Sequence, residues 1–478
     1  MRGGLLAAVG VAALVMGGAA GAAETLRQAL ARTYASNPTI MGQRAQVRSL
    51  DEGVAVARAQ GRPQISGVAG VNQNIIRRGA VPGRSVNAGV DVSYPLFNGG
   101  RVRNAIRAAD ERVLAGRANL KATEGDIFTE AVGAYMDVIR DRSIVDLNRN
   151  QVKVLETNLQ ATRDRFEVGD LTRTDVAQSE ARLALAQSNL AGAEGRLQGS
   201  EENYRRVIGD LPDELAPPDA LPRLPATADQ AVDIALANNS DVQSLAAQIR
   251  AAGLDVSVAR ADRLPTVSAV SSADAINYLG SAPTGLGGSS QTGSVGVSAR
   301  IPIYQGGLVG ARVRQLQSVQ SQLLERGVEV ERGVVAQTRA AFASFAAARE
   351  AIRSNETAVA ANTLALEGTR AEQSVGTRNV LDVLNAEQEL LNSQVALVTA
   401  RRDEYVAGFA LLNAMGQAEA EDLNLDGGAL YDPIVHYRQV SRRASDWSDE
   451  AAPQPVSTRT VTTVPAPAAN NSVTPPRQ

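Results

Sequence analysis

The side chains that usually carry chemistry are nearly absent from this sequence. Its 478 residues include no Cys and a single His, His436. Lack of Cys excludes disulfide frameworks, thiolate metal centres and cysteine nucleophiles. Multi-histidine metal centres are excluded as well, and a Ser-His-Asp enzyme would have to use His436. That residue lies in a polar segment near the C-terminus, with no acid–nucleophile setting around it in the sequence. The expectation is no enzyme, no cofactor and no metal site. Patterned polar residues remain at two Val-Gly turns. Val168-Gly169 is followed by Thr174 and Asp175, and Gln373 precedes Val375-Gly376-Thr377-Arg378, with Asp382 and Asn385 beyond. Taken alone, Asp175 and Arg378 read as solvated turn charges, a pair worth about 0–1 kcal/mol.

These turns need long elements to hold them, and the composition says which kind. Aromatics are only 3% of the chain, while the apolar fraction is 44% and is carried by Ala, Val and Leu. Such a chain buries area in thin layers, as helix seams do, better than in one thick core. A formal charge of −3 gives no electrostatic footprint for nucleic acid. Met1-Arg2, the apolar run Leu5 to Met16 and the small residues Gly21-Ala22-Ala23 read as a secretory signal peptide over residues 1–23. The apolar run is too short for a membrane anchor, which needs about 20 residues. The mature chain is therefore exported, either soluble or inserted as β-strands.

The chain then repeats itself. Val54-Ala-Val-Ala-Arg-Ala59 matches Val256-Ser-Val-Ala-Arg-Ala261 at an offset of about 202 residues. Further on, Pro95, Gly99-Gly100, Val168-Gly169, Asp175, Glu180 and Gly209 match Pro302, Gly306-Gly307, Val375-Gly376, Asp382, Glu387 and Gly416 at an offset of about 207. Five residues thus enter the second copy between Pro265 and Pro302. The expected organisation is a first repeat over 24–210, a Pro-rich linker over 211–226, a second repeat over 227–425, and a partly disordered tail over 426–478.

Each repeat divides into strands and helices. Val86, Ala88, Val90, Val92, Tyr94 and Leu96 alternate with polar or small residues, and so do Val295, Val297, Ala299, Ile301 and Ile303. Period-two alternation predicts strands over 86–96 and 293–303, each with one apolar face. Weaker alternation over 64–74 and 266–276 supplies a partner for each, within strand regions of about 63–97 and 265–304. Residues 76–83 and 279–290 read as hairpin loops. Four strands of roughly ten residues fit a tilted membrane strand, or equally a layer of a soluble β-sandwich. In a membrane, four strands cannot close a barrel, so several chains would have to share one.

No proline occurs from 96 to 211 or from 303 to 432. Since Pro costs about 3 kcal/mol inside a helix, these runs predict long helical hairpins, about 100–209 and about 307–416. Val138, Val145, Val152, Leu159 and Phe166 recur every seven residues, as do Phe345, Ile352, Val359 and Leu366. Heptads argue coiled-coil seams. Gly169 and Gly376 then mark the hairpin tips, and Thr172 and Asn379 are placed to cap the returning helices. An outgoing helix of about 67 residues would span roughly 100 Å. Small residues on faces beyond the seam predict packing on two sides, as in a cylinder wall.

This combination resembles the TolC family of outer-membrane efflux and secretion channels. The resemblance rests on Ser374-Val-Gly-Thr-Arg-Asn-Val-Leu-Asp-Val-Leu384, and on Tyr94-Pro-Leu-Phe-Asn-Gly-Gly100 with Ile301-Pro-Ile-Tyr-Gln-Gly-Gly307 as strand-to-helix junctions. It covers about residues 24–425. It implies a mostly α protein with a membrane β-barrel: a homotrimer with a twelve-stranded barrel in outer-membrane lipid. A periplasmic tunnel of coiled-coil helices hangs below it, with a mixed α/β belt at mid-height. Implied partners are a periplasmic adaptor and an inner-membrane transporter of ABC or RND type, in a multidrug efflux pump or type I secretion system. By the same resemblance Arg378 would latch the entrance shut against Thr174 and Asp175. Asp382 would line the constriction as a ring of charge. Val168, Gly169, Val375, Gly376 and Thr377 would meet the adaptor. Gln373 and Asn385 stand where the best-known member has Tyr and Asp, so latch and ring would both be weaker here. The competing reading is a soluble periplasmic adaptor or structural protein that docks through its helical hairpins.

Overall fold

The structure is a computed structural model that describes residues 23–75, 83–279, 288–425, 430–457 and 459–460. The expected signal peptide and most of both hairpin loops lie outside the described residues. In chain order the elements are α1 (Leu26–Ser36), α2 (Pro38–Ala59), β1 (Gln64–Gln73), β2 (Arg84–Phe97), α3 (Arg101–Glu167) and α4 (Arg173–Ile208), then α5 (Ala228–Asn238), α6 (Ser240–Ala261), β3 (Thr266–Leu279), β4 (Gly288–Arg300), α7 (Leu308–Ser374), α8 (Val380–Ala414) and α9 (Pro433–Val440). Both outgoing helices, α3 and α7, are 67 residues long. Among the described residues no helix is long and apolar enough to cross a membrane.

The strands form one antiparallel sheet in the order β1-β2-β3-β4. Pairing register puts Ile65, Val92, Ser271 and Val295 in one row across the sheet, and Ser66, Asp91, Ser272 and Ser294 in the next. Successive rows face opposite sides. One face therefore carries Ile65, Val90, Val92, Tyr94 and Val297, and the other Asn87, Asp91, Asp274 and a Ser272–Ser294 hydroxyl pair at 2.8 Å. Among the described residues neither β1 nor β4 has a second partner strand, so each leaves a row of backbone groups open. The strand expected over 293–303 instead ends at Arg300. Pro302 has no N–H to donate, and Ile301 and Ile303 on either side of it are exposed. The start of β4 in turn takes in Gly288 to Ser290, which the sequence reading gave to a loop.

Gly99-Gly100 and Gly306-Gly307 turn the chain from strand into helix, all four at positive φ between 61° and 82°. Below the sheet the helices form a strip. The long α3 packs on α2, α4, α6 and α8, while α7 packs on α5, α6 and α8. The shorter helices join end to end to match the long ones. Asn37 caps the start of α2 and its side-chain amide donates to the Val207 carbonyl at the end of α4 (2.9 Å). Asn239 does the same between α6 and Ala414 of α8 (3.2 Å). These asparagines are repeat equivalents. Each satisfies orphan groups of two helices at once.

The main core sits at these joints. Phe128, Tyr135, Tyr204, Ile208, Leu411 and Met415 pack there with Ile40. Tyr135 donates its hydroxyl to the Glu24 and Ala216 carbonyls, 2.8 and 2.6 Å away, which ties the first described residues to the linker. Glu24 and Leu215 form an isolated parallel bridge, the one such bridge among the described residues. The tail is ordered where it meets the first repeat: α9 packs on α2. His436, for which the sequence offers no acid–nucleophile setting, lies with Nδ1 3.0 Å from Asp51 Oδ2. The two residues are 385 positions apart, so only folding brings them together.

Glu124 of α3 is buried beside Arg44, Lys121 and Glu419, and burial pushes its carboxyl up to about 7, with Arg44 opposing and Glu419 adding. The ordinary value is 4.5. A carboxyl raised on folding stabilises fully below its unfolded pKa, and that stability is lost as pH rises through the folded one. Replacing Glu124 with Gln should raise the thermal midpoint at about pH 8, by a free energy on the order of 1–3 kcal/mol, and leave it unchanged near pH 4. Unfolding curves of both proteins at the two pH values check this.

Candidate functional site

The distal ends of the two hairpins carry the latch, constriction and docking residues singled out in the sequence. Each tip is built the same way. The outgoing helix ends at Val168 or Val375, and Gly169 or Gly376 follows in the left-handed region, φ +82° and +84°. The returning helix starts with a reciprocal capping box. Thr172 and Asp175 form it in α4, Asn379 and Asp382 in α8. Such boxes satisfy two orphan N–H groups at each helix start. The Thr172 hydroxyl and N–H donate to Asp175 Oδ2 (2.7 and 2.9 Å) and hold its carboxyl below the ordinary aspartate value.

The tips differ in what closes the turn. At the first, Arg165 Nε donates to Asp170 (2.8 Å). At the second, Thr377 replaces the aspartate and donates to the Glu372 carbonyl (2.9 Å), while Arg378 Nε donates to Glu372 Oε2 (2.8 Å). Glu372 is the repeat equivalent of Arg165, so sign is exchanged at this position. Within one chain Arg378 is thus paired with Glu372, and the structure does not bring it to Thr174 or Asp175. Thr174 is exposed on the first turn of α4, and Gln373 gives its carbonyl to the Gly376 N–H (3.0 Å). Val168 and Val375 project from the tips 81% and 74% exposed, a large apolar exposure for side chains at a turn.

Two contacts join the hairpins side by side just above the tips. Arg182 of α4 donates to Asn385 Oδ1 of α8 (2.8 Å). Glu387 of α8 is buried, accepts from Asn158 of α3 on both oxygens (3.0 and 3.1 Å), and takes Arg370 of α7 at 3.0 Å. The equivalent pair in the first hairpin, Arg163 and Glu180 at 2.6 Å, is about half exposed. The sequence reading missed both pairs. The signal was present, since Arg163/Glu180 and Arg370/Glu387 straddle their tips at the same spacing of 17. Only the packing of α3 over α8 makes one of them buried.

The geometry is that of a wall segment, with polar closures at one end and an open two-faced sheet at the other. It defines a class of protein, the outer-membrane exit channel. The sequence model of the outer membrane efflux protein family matches residues 26–210 and 231–417. The chain belongs to that family, which is one of channels rather than enzymes. It is 36% identical over 438 residues to the outer membrane efflux protein BepC of Brucella suis, covering 91% of this chain and 94% of that one. It is 25% identical over 426 residues to the outer membrane protein TolC of Escherichia coli, covering 86% of each. Its fold matches the Campylobacter jejuni CmeC outer membrane channel with a TM-score of 0.73, over 88% of this chain and 89% of that one, at 15% identity.

Removing Glu387 takes the acceptor from the half-buried Asn158 amide and the partner from Arg370, at about 1 kcal/mol. Glu387→Ala should speed hydrogen exchange at the ends of α3 and α7 and the start of α8. Glu180→Ala, at an exposed pair, should change little. Equal effects of the two substitutions would contradict the assignment.

Proposed function

We propose that three copies of this chain close into one duct that carries material across the periplasm and out through the outer membrane. The carrying observation is the four-stranded sheet with both edges open among the described residues, β2 and β4 presenting their valines to one face and mostly polar or small side chains to the other. Open edges are not tolerated in hydrocarbon, so β4 of one copy would pair with β1 of the next. Two copies would give eight strands, and side chains fill the interior of a barrel that size. Three copies give twelve and leave a water-filled lumen lined by the polar face. The helices favour the same closure. Of the 67 residues of α7 only Val313, Val334, Thr338, Ala348 and Leu366 are buried, and Val319, Leu324 and Val328 stand exposed along it. That face fits the open side of a neighbouring strip.

At the tips, Arg378 would exchange Glu372 for Thr174 and Asp175 of a neighbouring copy when the entrance shuts. Each such exchange trades one exposed pair for another, a small free-energy difference suited to a gate that partners must open. Asp382, brought three times around one axis, would focus a field favouring cations. Asn385 adds no charge, and its bond from Arg182 fastens the two hairpins of one chain. The exposed Val168-Gly169 and Val375-Gly376-Thr377 turns would seat a periplasmic adaptor, which links the duct to an inner-membrane transporter. BepC is named an efflux protein, which favours efflux as the use of this duct.

Arg378→Ala and Asp175→Ala should each raise single-channel conductance in planar bilayers, and Asp382→Asn should weaken block by multivalent cations. Wild-type conductance in both latch variants would contradict the gate. Unchanged block in Asp382→Asn would place the constriction elsewhere.

A further inference from the structure

The only histidine is held in a way that an exit duct does not require. Asp51 of α2 has no exposed surface, yet its one near hydrogen-bond partner is His436 Nδ1, at 3.0 Å. Arg117 stands 3.9 Å from the other carboxylate oxygen, and that oxygen has no hydrogen-bond partner among the described residues. A buried carboxylate on Nδ1 fixes the ring and its tautomer, leaving Nε2 with its lone pair for a ligand. Glu52 follows Asp51 on α2. Glu450 arrives from the extended segment after α9. One ligand atom from each of Glu52, His436 and Glu450 lies within 4.8 Å of the other two.

The segment that carries Glu450 is fastened to the same helix. Arg58 of α2 donates to the Ser441 carbonyl (3.0 Å), and Arg62 donates to the carbonyls of Arg442 and Arg443. Tyr437 donates to Asp110 of α3 (2.9 Å). The chain is thus tied to α2 as far as Arg443, while the helices α2 and α9 carry Glu52 and His436. The residual gap is within reach of glutamate rotamers: tetrahedral zinc, with ligands at about 2.0–2.1 Å, puts its donors roughly 3.3 Å apart. Arg443, 3.5 Å from Glu450, is the competitor that a cation would displace.

We propose that Glu52, His436 and Glu450 form a binding site for a divalent transition metal, Zn²⁺ being the ion that one imidazole and two carboxylates suit best, with Asp51 as the positioning residue behind the histidine. One imidazole, two carboxylates and a water complete four-coordination. The ion would clasp the C-terminal segment onto α2 of the first repeat, far from the tips, so the site is structural rather than part of the gate.

Trp447 is the chain's only tryptophan, three residues before Glu450 and 94% exposed, and so reports on the clasp directly. The test uses the full chain in detergent, with any affinity tag removed and metal stripped by EDTA, titrated with ZnCl₂. Expected are one zinc retained per chain by elemental analysis and a saturable change in Trp447 emission, with no response to MgCl₂. Glu52→Gln and Glu450→Gln should each weaken binding about tenfold or more, and Asp51→Asn about 10–100-fold, as the loss of a supporting carboxylate does elsewhere. Glu450 is exposed, so its variant keeps the test valid even where His436→Ala or Asp51→Asn fails to fold. Absence of stoichiometric zinc, or an affinity indifferent to both glutamate variants, would overturn the proposal.

Discussion

Unpaired backbone on the two outer strands is the constraint from which the rest of this molecule follows. A strand edge carries a row of N–H and C=O groups that must find partners, and in hydrocarbon no water supplies them. One chain offers four strands, with valines of β2 and β4 on one face and mostly polar or small side chains on the other, and both edges are open among the described residues. The helical strip below is open at its sides in the same way: α3 is covered on several sides, whereas α7 shows most of its length. Sheet and helices thus lack partners at the same lateral boundaries. Identical neighbours would satisfy both with one operation, which is the economy that cyclic assembly offers.

Duplication explains how so long a wall is made from so few parts. Each repeat supplies one uninterrupted helix and three shorter ones, two of which, α2 with α4 or α6 with α8, are joined end to end through Asn37 or Asn239. The joint does two jobs. An asparagine caps one helix and takes a carbonyl of the next, worth about 1 kcal/mol as a cap, and the largest buried side chains gather around it. The tips, by contrast, are small and exposed, with closures built from different side chains in the two copies: Arg165 on Asp170 in the first, Arg378 on Glu372 in the second. The wall is therefore firm at its middle and lightly held at its end.

Much of this was legible in the residues, and what was not has a common physical cause. Pro-free heptad runs predict both 67-residue helices. The Val-Gly turns predict the tips, and Thr172 and Asn379 predict the caps, because each of these depends on neighbours in sequence. The end of β4 was misplaced by alternation alone, which ran on through Ile301 and Ile303 although Pro302 stops the ladder. Asn37 bonding Val207, Asn158 bonding Glu387 and Asp51 bonding His436 join residues 170, 229 and 385 positions apart. No local pattern encodes such pairs. At the site, the positions of the tip residues were legible, but their partners were not. Arg378 faces Glu372 and Asp382 caps α8 within the chain, roles that a resemblance based on an assembled channel passes over.

The claim that copies pool their strands can be tested on the edges themselves, since the chain has no native cysteine to confuse the result. A cysteine series along β1, combined with one along β4, would be oxidised in outer-membrane fractions and resolved by denaturing electrophoresis. Matched positions should yield a ladder that stops at three covalently linked chains, with no product when either strand carries no cysteine. Cross-links confined to a single chain, or a protein recovered as a soluble monomer that forms none, would contradict the account.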